Sequence, residues 1–144
     1  MSYGNVQGAL NQYRKVGVQA GIADASPHRL IQMLLEGALD KVHAAKGHME
    51  RGETAAKGKH ISWAISIIDG LRASLDPSAG GDMAANLDAL YDYMNRQLLH
   101  ANLRNDAAVL DEVARLLSEI KQGWDAIPRA LRNASSAGNA EAGA

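Results

Sequence analysis

Apolar residues spaced three and four apart dominate four stretches of this chain, and this spacing constrains the fold more than any other feature. Each stretch is about 20 residues long, and the spacing places its apolar side chains on one face of an α-helix. Short clusters of breaker residues separate the stretches, and no segment alternates convincingly with period two. The pattern therefore predicts an all-α fold, an antiparallel up-down four-helix bundle.

Capping and breaking residues set the expected helix bounds. Ser26 is a candidate N-cap, and Pro27 suits the first helical position because its missing N–H is not needed there. Gly52 follows the first helix, Asp106 is a plausible N-cap of the last, and a run of breakers fills residues 76–81. The expected helices are 26–51, 54–75, 82–104 and 107–127.

The same signals predict one bundle domain with an extension at each end. Residues 1–25 form an N-terminal arm in which a short helix over about 6–15 is marginal on its own. Residues 26–128 form the helical bundle domain. Residues 129–144 are small and polar, which is typical of a disordered tail.

Charge and composition exclude several classes of function. The 15 lysines and arginines nearly balance the 16 aspartates and glutamates, which argues against nucleic-acid binding and against attraction to an anionic membrane. There is no cysteine, so disulfides, thiolate metal sites and thiol nucleophiles are excluded. Neither a signal peptide nor a run of about 20 apolar residues is visible, so we expect a cytosolic protein without membrane insertion.

The residues that carry chemistry do not assemble into a catalytic or metal-binding pattern. Asp40 and His43 have the spacing of half a di-metal bundle site, but the inward-facing positions of the other helices are apolar. No nucleophile, phosphate-loop or dinucleotide motif occurs. We therefore predict that the protein is not an enzyme, that it needs no cofactor or metal, and that its histidines are exposed to solvent.

The stretch over residues 87–102 carries more apolar side chains than one helical stripe requires. Tyr93 and Leu99 lie off its stripe, and Leu103 follows just beyond. Such a surplus fits either an overfilled core or a groove for a partner, since a contiguous apolar patch marks an interaction site. The corresponding surplus elsewhere consists of Leu30 or Leu35, Trp63, Ile67, Val109 and Leu116.

Several short motifs follow one another in a characteristic order between about residues 10 and 127. They are Tyr13, then 22–27 (IADASP), 33–39 (MLLEGAL), 75–76 (LD), 86–94 (NLDALYDYM), 101–102 (AN), 110–113 (LDEV) and Trp124. In their order and spacing the chain resembles the flagellar secretion chaperone family, FliS.

The resemblance implies a cytosolic export chaperone that acts without nucleotide or metal. Such a protein binds the disordered C-terminal segment of flagellin, prevents its premature polymerisation, and helps present it to the components of the flagellar export gate. It also implies that the N-terminal arm covers part of the groove when cargo is absent. Tyr13 and Ile22 are then the candidate plugs.

A groove for amphipathic cargo helices would lie between bundle helices. Tyr91 and Met94 are the favoured groove residues, since tyrosine offers a polar tip at a groove edge and methionine adapts to irregular partners. The full predicted set of partner-binding residues is Tyr13, Ile22, Leu34, Ile68, Leu71, Leu90, Tyr91, Met94 and Leu98. The alternative is a helical dimerisation or regulatory interaction module without flagellin cargo, and a homodimer of the cargo-free chain is part of that alternative.

Overall fold

Four α-helices make up residues 25–128, which are the residues that the computed structural model describes. They are α1 (Pro27–Glu50), α2 (Thr54–Ala73), α3 (Pro77–Arg104) and α4 (Ala107–Asp125). Every regular element of this region is helical, so the predicted all-α bundle is confirmed. The N-terminal arm with Tyr13 and Ile22 lies outside the described residues, as does the tail from residue 129.

The helices form a closed ring in which each helix packs against the next and α1 also packs against α4. Ion pairs fix the directions: Lys46, near the end of α1, pairs with Asp111 near the start of α4 at 2.8 Å. Arg72 at the end of α2 pairs with Asp88 near the start of α3 at 2.9 Å. Neighbouring helices are therefore antiparallel. The largest fully buried side chains are Leu34, Leu35, Val42, Ile61, Ile67, Ile68, Leu71, Met94, Leu98, Leu110, Val113 and Leu117.

The ends of α1 and the start of α4 follow the predicted capping chemistry. The Ser26 hydroxyl accepts a hydrogen bond from the Arg29 amide at 3.1 Å, with Pro27 in the first helical position. The Asp106 carboxylate accepts from the Ala108 amide at 3.1 Å. Gly52, in the turn after α1, has a φ of 74°, a left-handed conformation that glycine adopts at no steric cost.

Helix α3 begins at Pro77, five residues before the expected start at 82. Asp76 is its N-cap, and its carboxylate accepts a hydrogen bond from the Ser78 amide at 3.1 Å. Gly81 then interrupts the helix with φ 54° and ψ −130°. The breaker cluster thus forms one capped turn and a kink, because Asp76-Pro77 has the same capping chemistry as Ser26-Pro27.

His28 corrects the expectation that the histidines are solvent-exposed. It is buried in the first turn of α1, where its Nε2–H donates to the Trp124 carbonyl at 2.8 Å. The Trp124 indole N–H donates to the His28 carbonyl at 2.9 Å, and the two rings stack with centroids 4.9 Å apart. The imidazole is buried because the carbonyl and the ring of Trp124, in the last turn of α4, both contact it.

Lys57 is a second buried polar group in the described region. Its ammonium donates to the Asn102 carbonyl at 3.0 Å and to the Asn105 side-chain oxygen at 2.6 Å. Asn105 ends α3 in the left-handed conformation, with φ 52°. Lys57 therefore ties the start of α2 to the C-terminus of α3, where the helix dipole favours a cation.

Candidate functional site

Most of the predicted partner-binding residues lie in the closed core. Leu90 differs, because it is half-buried at the edge and packs against the core from outside. Burial of Tyr91 raises the pKa of its hydroxyl to about 12. These residues lie together inside the core. They therefore support the helices beneath the surface and do not themselves form a binding surface. The buried set, each at most 3% exposed, is Leu34, Ile68, Leu71, Tyr91, Met94 and Leu98.

The surplus apolar residues divide into two groups. Leu35 and Ile67 are 0% and 1% exposed. The interpretation that they are apolar residues beyond what the core needs is therefore wrong. They lie on α1 and α2, which pack closely against each other, and the buried faces there are broader than one stripe. Leu99 and Leu103, in contrast, are 55% and 82% exposed. They stand one turn apart on α3 and share a face of it.

The exposed leucines lie on α3 beside the face that turns toward α2. Asp69 on α2 accepts a hydrogen bond from Asn95 on α3 at 2.8 Å, which fixes how the two helices face each other. Leu99 and Leu103 continue the Asn95 face of α3 by helical spacing, and Ile65, Ser62 and Gly58 continue the Asp69 face of α2. A Cβ built on Gly58 would lie 3.9 Å from Asn102, so α2 and α3 are close there. We call the surface formed by Gly58, Ser62, Ile65, Leu99 and Leu103 the leucine groove.

Charged side chains close the other half of the α2–α3 seam. Arg72 reaches from α2 to Asp88 at 2.9 Å and to Asp92 at 3.3 Å, and Arg96 bonds Asp92 at 3.0 Å. The hydrogen bond from Arg72 holds the pKa of Asp88 below its usual range. Small and apolar residues replace these charges in the half next to Leu99. Polar contacts therefore bridge the seam at both ends, through Arg72 and Asp88 at one end and Lys57 and Asn105 at the other, with the small residues between them.

Tyr93 bridges the seam between α3 and α4. Its hydroxyl donates to the Glu112 carboxylate at 2.8 Å, and this contact raises the pKa of Tyr93. The Arg96 guanidinium lies 5.8 Å from the centroid of its ring. Leu90 on α3 and Leu116 on α4 are half-buried and pack against the core. Tyr93 is thus a connecting residue, and its position off the stripe reflects that contact.

The exposed apolar side chains of the described residues suit the binding of another polypeptide. Among residues 25–128 no group of three or more histidine, aspartate or glutamate side chains could hold a metal ion. The leucine groove offers two exposed leucines beside small residues, the form in which an amphipathic helix can lay down its apolar face. The sequence analysis counts Leu99 and Leu103 as surplus and predicts the site from residues on the stripe, which stays a prediction. The sequence feature that accompanies the exposure of the two leucines is their departure from the stripe.

A family model described as "Flagellar protein FliS" matches residues 9–131 of the chain. Over 119 residues the chain is 50% identical to the flagellar secretion chaperone FliSB of Pseudomonas aeruginosa, which covers 83% of this chain and 94% of that protein. It is 41% identical over 132 residues to flagellar secretion chaperone FliS of Vibrio cholerae, covering 92% and 97%. The Salmonella typhimurium FliS is 49% identical over 119 residues, covering 82% and 88%. In the described region no helix has the length and apolar character needed to cross a membrane.

Proposed function

From the premise that this chain belongs to the FliS family, we propose that it is an export chaperone for flagellin. Identity of 41–50% to flagellar secretion chaperones, over most of both chains, supports the chaperone role. The cargo is the C-terminal segment of flagellin, held before export so that it does not polymerise. The chaperone acts in the cytoplasm as a binding protein, without catalysis or cofactor, and delivers cargo to the export gate.

The observation that carries this proposal is the exposure of Leu99 and Leu103 on one face of α3. A disordered segment that folds on binding must offset its own ordering cost through apolar burial. Covering one leucine is worth about 1.5–3 kcal/mol, so two adjacent leucines give a helix of two or three turns a substantial anchor. The cargo lies along the leucine groove with its own apolar stripe facing Leu99 and Leu103.

The buried residues have a supporting role in this proposal. Met94 and Leu98 set the position of α3 from inside, next to the face that carries Leu99. Tyr91, Leu34, Ile68 and Leu71 support the same helix through the core, and Leu90 forms its edge toward α4. Tyr13 and Ile22 of the N-terminal arm cover part of the cargo surface until cargo displaces them. Deletion of residues 2–20 should then raise the affinity for cargo.

The test is a double variant, Leu99→Glu with Leu103→Glu, titrated with a synthetic flagellin C-terminal segment in a calorimeter. Both positions are exposed, so the variant should keep its thermal midpoint, and affinity should fall roughly 100-fold or more because two apolar anchors become charges. His100→Glu is the matched control, since His100 is exposed on the same helix and is turned about 100° around the helix axis from Leu99. A folded double variant with unchanged affinity would remove the leucine groove from the proposal.

A second candidate occupant of the leucine groove is another copy of this chain. The same exposed leucines favour it, because a two-fold interface pairs one patch with itself. Sedimentation velocity separates the two occupants. A chaperone forms a one-to-one complex when the flagellin segment is added, and any cargo-free dimer dissociates. A dimer that persists with cargo bound would place the contact on another surface.

A further inference from the structure

Two lysines on different helices converge on one indole at the outer face of α1 and α2. The Lys41 ammonium lies 4.1 Å from the Trp63 ring centroid, and the Lys59 ammonium lies 5.8 Å from it. His60 meets the edge of the indole at 5.4 Å between centroids, and His48 lies 4.8 Å from His60. We call these five residues the Trp63 patch.

The lysines of the Trp63 patch differ from most cations of the bundle. Seven of the eleven lysines and arginines in residues 25–128 form an ion pair with a carboxylate. Lys57 instead donates to two asparagines. Lys41 and Lys59 have no carboxylate partner within the described region, and both are held against an aromatic face. Their positive charge is therefore uncompensated and already positioned.

Contact with the indole prepares both ammonium groups for an anion. A cation–π contact at an exposed site is worth about 0.5–1 kcal/mol, enough to bias a lysine toward one position. A positioned lysine loses less side-chain entropy when a carboxylate arrives. An ammonium group carries three N–H donors, so contact with one ring face leaves donors from which a carboxylate can accept.

We propose that the Trp63 patch docks an acidic helical segment of a second protein. Two glutamates three or four residues apart on a helix share one face, with Cβ atoms roughly 5–6 Å apart. Their flexible side chains can bring one carboxylate to each lysine, since both ammonium groups lie beside the same indole, at 4.1 and 5.8 Å from its centroid. A polynucleotide fits the patch less well. Its affinity rests on many phosphate contacts, whereas this patch has two free lysines, and Glu53 hydrogen-bonds His48 at its border.

The patch and the leucine groove lie on different sides of α2. Trp63 turns toward α1, whereas Ile65 and Asp69 turn toward α3. Cargo in the leucine groove therefore leaves the patch open, and the acidic segment binds whether or not cargo is present. This gives the protein separate surfaces for cargo and for a second, acidic partner.

The experiment titrates the full isotope-labelled chain with an alanine-rich helical peptide carrying two glutamates four residues apart. The Trp63 indole N–H resonance should shift, whereas that of Trp124, bonded to the His28 carbonyl, should stay as an internal reference. The double variant Lys41→Gln with Lys59→Gln should bind the peptide roughly tenfold more weakly. Arg104→Gln is the matched control, because Arg104 is exposed and has no ion pair among the described residues.

Three outcomes would overturn the proposal. The first is equal binding of a peptide with glutamines in place of the glutamates, and the second is an equal loss in the Arg104→Gln control. The third is tighter binding of a 20-nucleotide single strand than of the acidic peptide, which would reassign the patch to nucleic acid. Flagellin titration of the lysine variant reports on the leucine groove separately and should give the wild-type affinity, so failure of either proposal is recognised by itself.

Discussion

Helices α1 and α3 occupy opposite positions in the ring and differ in how much of their apolar surface is buried. In α1, eight of 24 residues are buried, and the helix packs against both α2 and α4. In α3, five of 28 residues are buried, and this helix carries all three of the large apolar residues that are exposed in the described region. Those residues are Met83, Leu99 and Leu103. One helix thus completes the core and the other leaves part of its apolar surface for something else.

Both helices combine small buried residues with polar bridges to their neighbours, and the balance between the two differs. The buried face of α1 includes Gly37, Ala38 and Ala45, which let neighbouring helices approach closely. Helix α3 is joined to its neighbours by polar bridges through longer side chains, such as Asp88 with Arg72 and Tyr93 with Glu112. Polar bridges fix orientation at small net energy. A binding helix can therefore be held in place without covering its leucines.

The test of this comparison with the largest expected effect is a leucine truncation on each helix. Leu34→Ala on α1 should lower the free energy of unfolding by about 2–5 kcal/mol, because it opens a cavity in a fully buried site. Leu99→Ala on α3 should change it by no more than about 0.5 kcal/mol, since more than half of that side chain is already exposed. Urea denaturation followed by circular dichroism measures both. Equal losses would contradict the division between the two helices.

A smaller effect should follow from cutting the polar tie between α2 and the end of α3. Lys57→Met leaves the Asn102 carbonyl and the Asn105 side-chain oxygen without their donor, which should cost about 1–3 kcal/mol. Arg104→Met is the control, and as an exposed substitution without an ion pair among the described residues it should stay within about 0.5 kcal/mol. If urea denaturation gives both variants the same midpoint, this tie does not stabilise α3.

The smallest expected effect concerns the polar end of α3 and depends on pH. Arg72 lowers the pKa of Asp88 in the folded protein, so the pair stabilises the fold above the unfolded value of about 4 and loses this contribution as pH falls through the lower folded value. Asp88→Asn should therefore cost at most about 1 kcal/mol at pH 7, since both side chains are partly solvated. The cost should vanish near the acid limit of the folded state.

Asp40→Asn supplies the comparison on α1, because Asp40 is exposed and has no ion pair within residues 25–128. Chemical denaturation of both variants at pH 7 and at successively lower pH gives the two curves. Asp88→Asn should converge on the wild type as pH falls, whereas Asp40→Asn should follow the wild type throughout. A constant gap for Asp88→Asn would show that the loss does not come from the ion pair.

Local signals predicted the architecture well, because helix periodicity and capping act within a few residues. Ser26 and Asp106 cap as their sequence context indicates. The predicted start of α3 is too late because the glycines after Pro77 indicate a break, whereas Asp76 caps one helical turn before Gly81. Capping and breaking signals overlap in residues 76–81. Because the cap comes first, the helix begins before the interruption at Gly81.

The site was harder to predict because exposure depends on which helices are neighbours. Ile67 and Leu99 both lie off their stripes, yet Ile67 is buried and Leu99 is exposed. Periodicity gives the direction of a side chain around the helix axis, but it does not give which residues of a neighbouring helix lie opposite. His28 shows the same limit, since its partner Trp124 lies 96 residues away in the sequence. Distant partners of this kind follow only from the assembled bundle.

The stacked rings of His28 and Trp124 also bear on how the chain folds. They bring the first turn of α1 against the last turn of α4, so closure of the ring joins the most distant parts of the described chain. Loop closure of this length carries the largest entropic cost of any helix pairing, and non-local contacts slow folding. Linking residues 25 and 128 and opening the chain between Ser74 and Leu75 would keep every helix, make this pairing local and transfer the long-range closure to α2 and α3. Because α1 and α4 pack more extensively than α2 and α3, such a circular permutant should reach the native state faster than the natural order of helices allows.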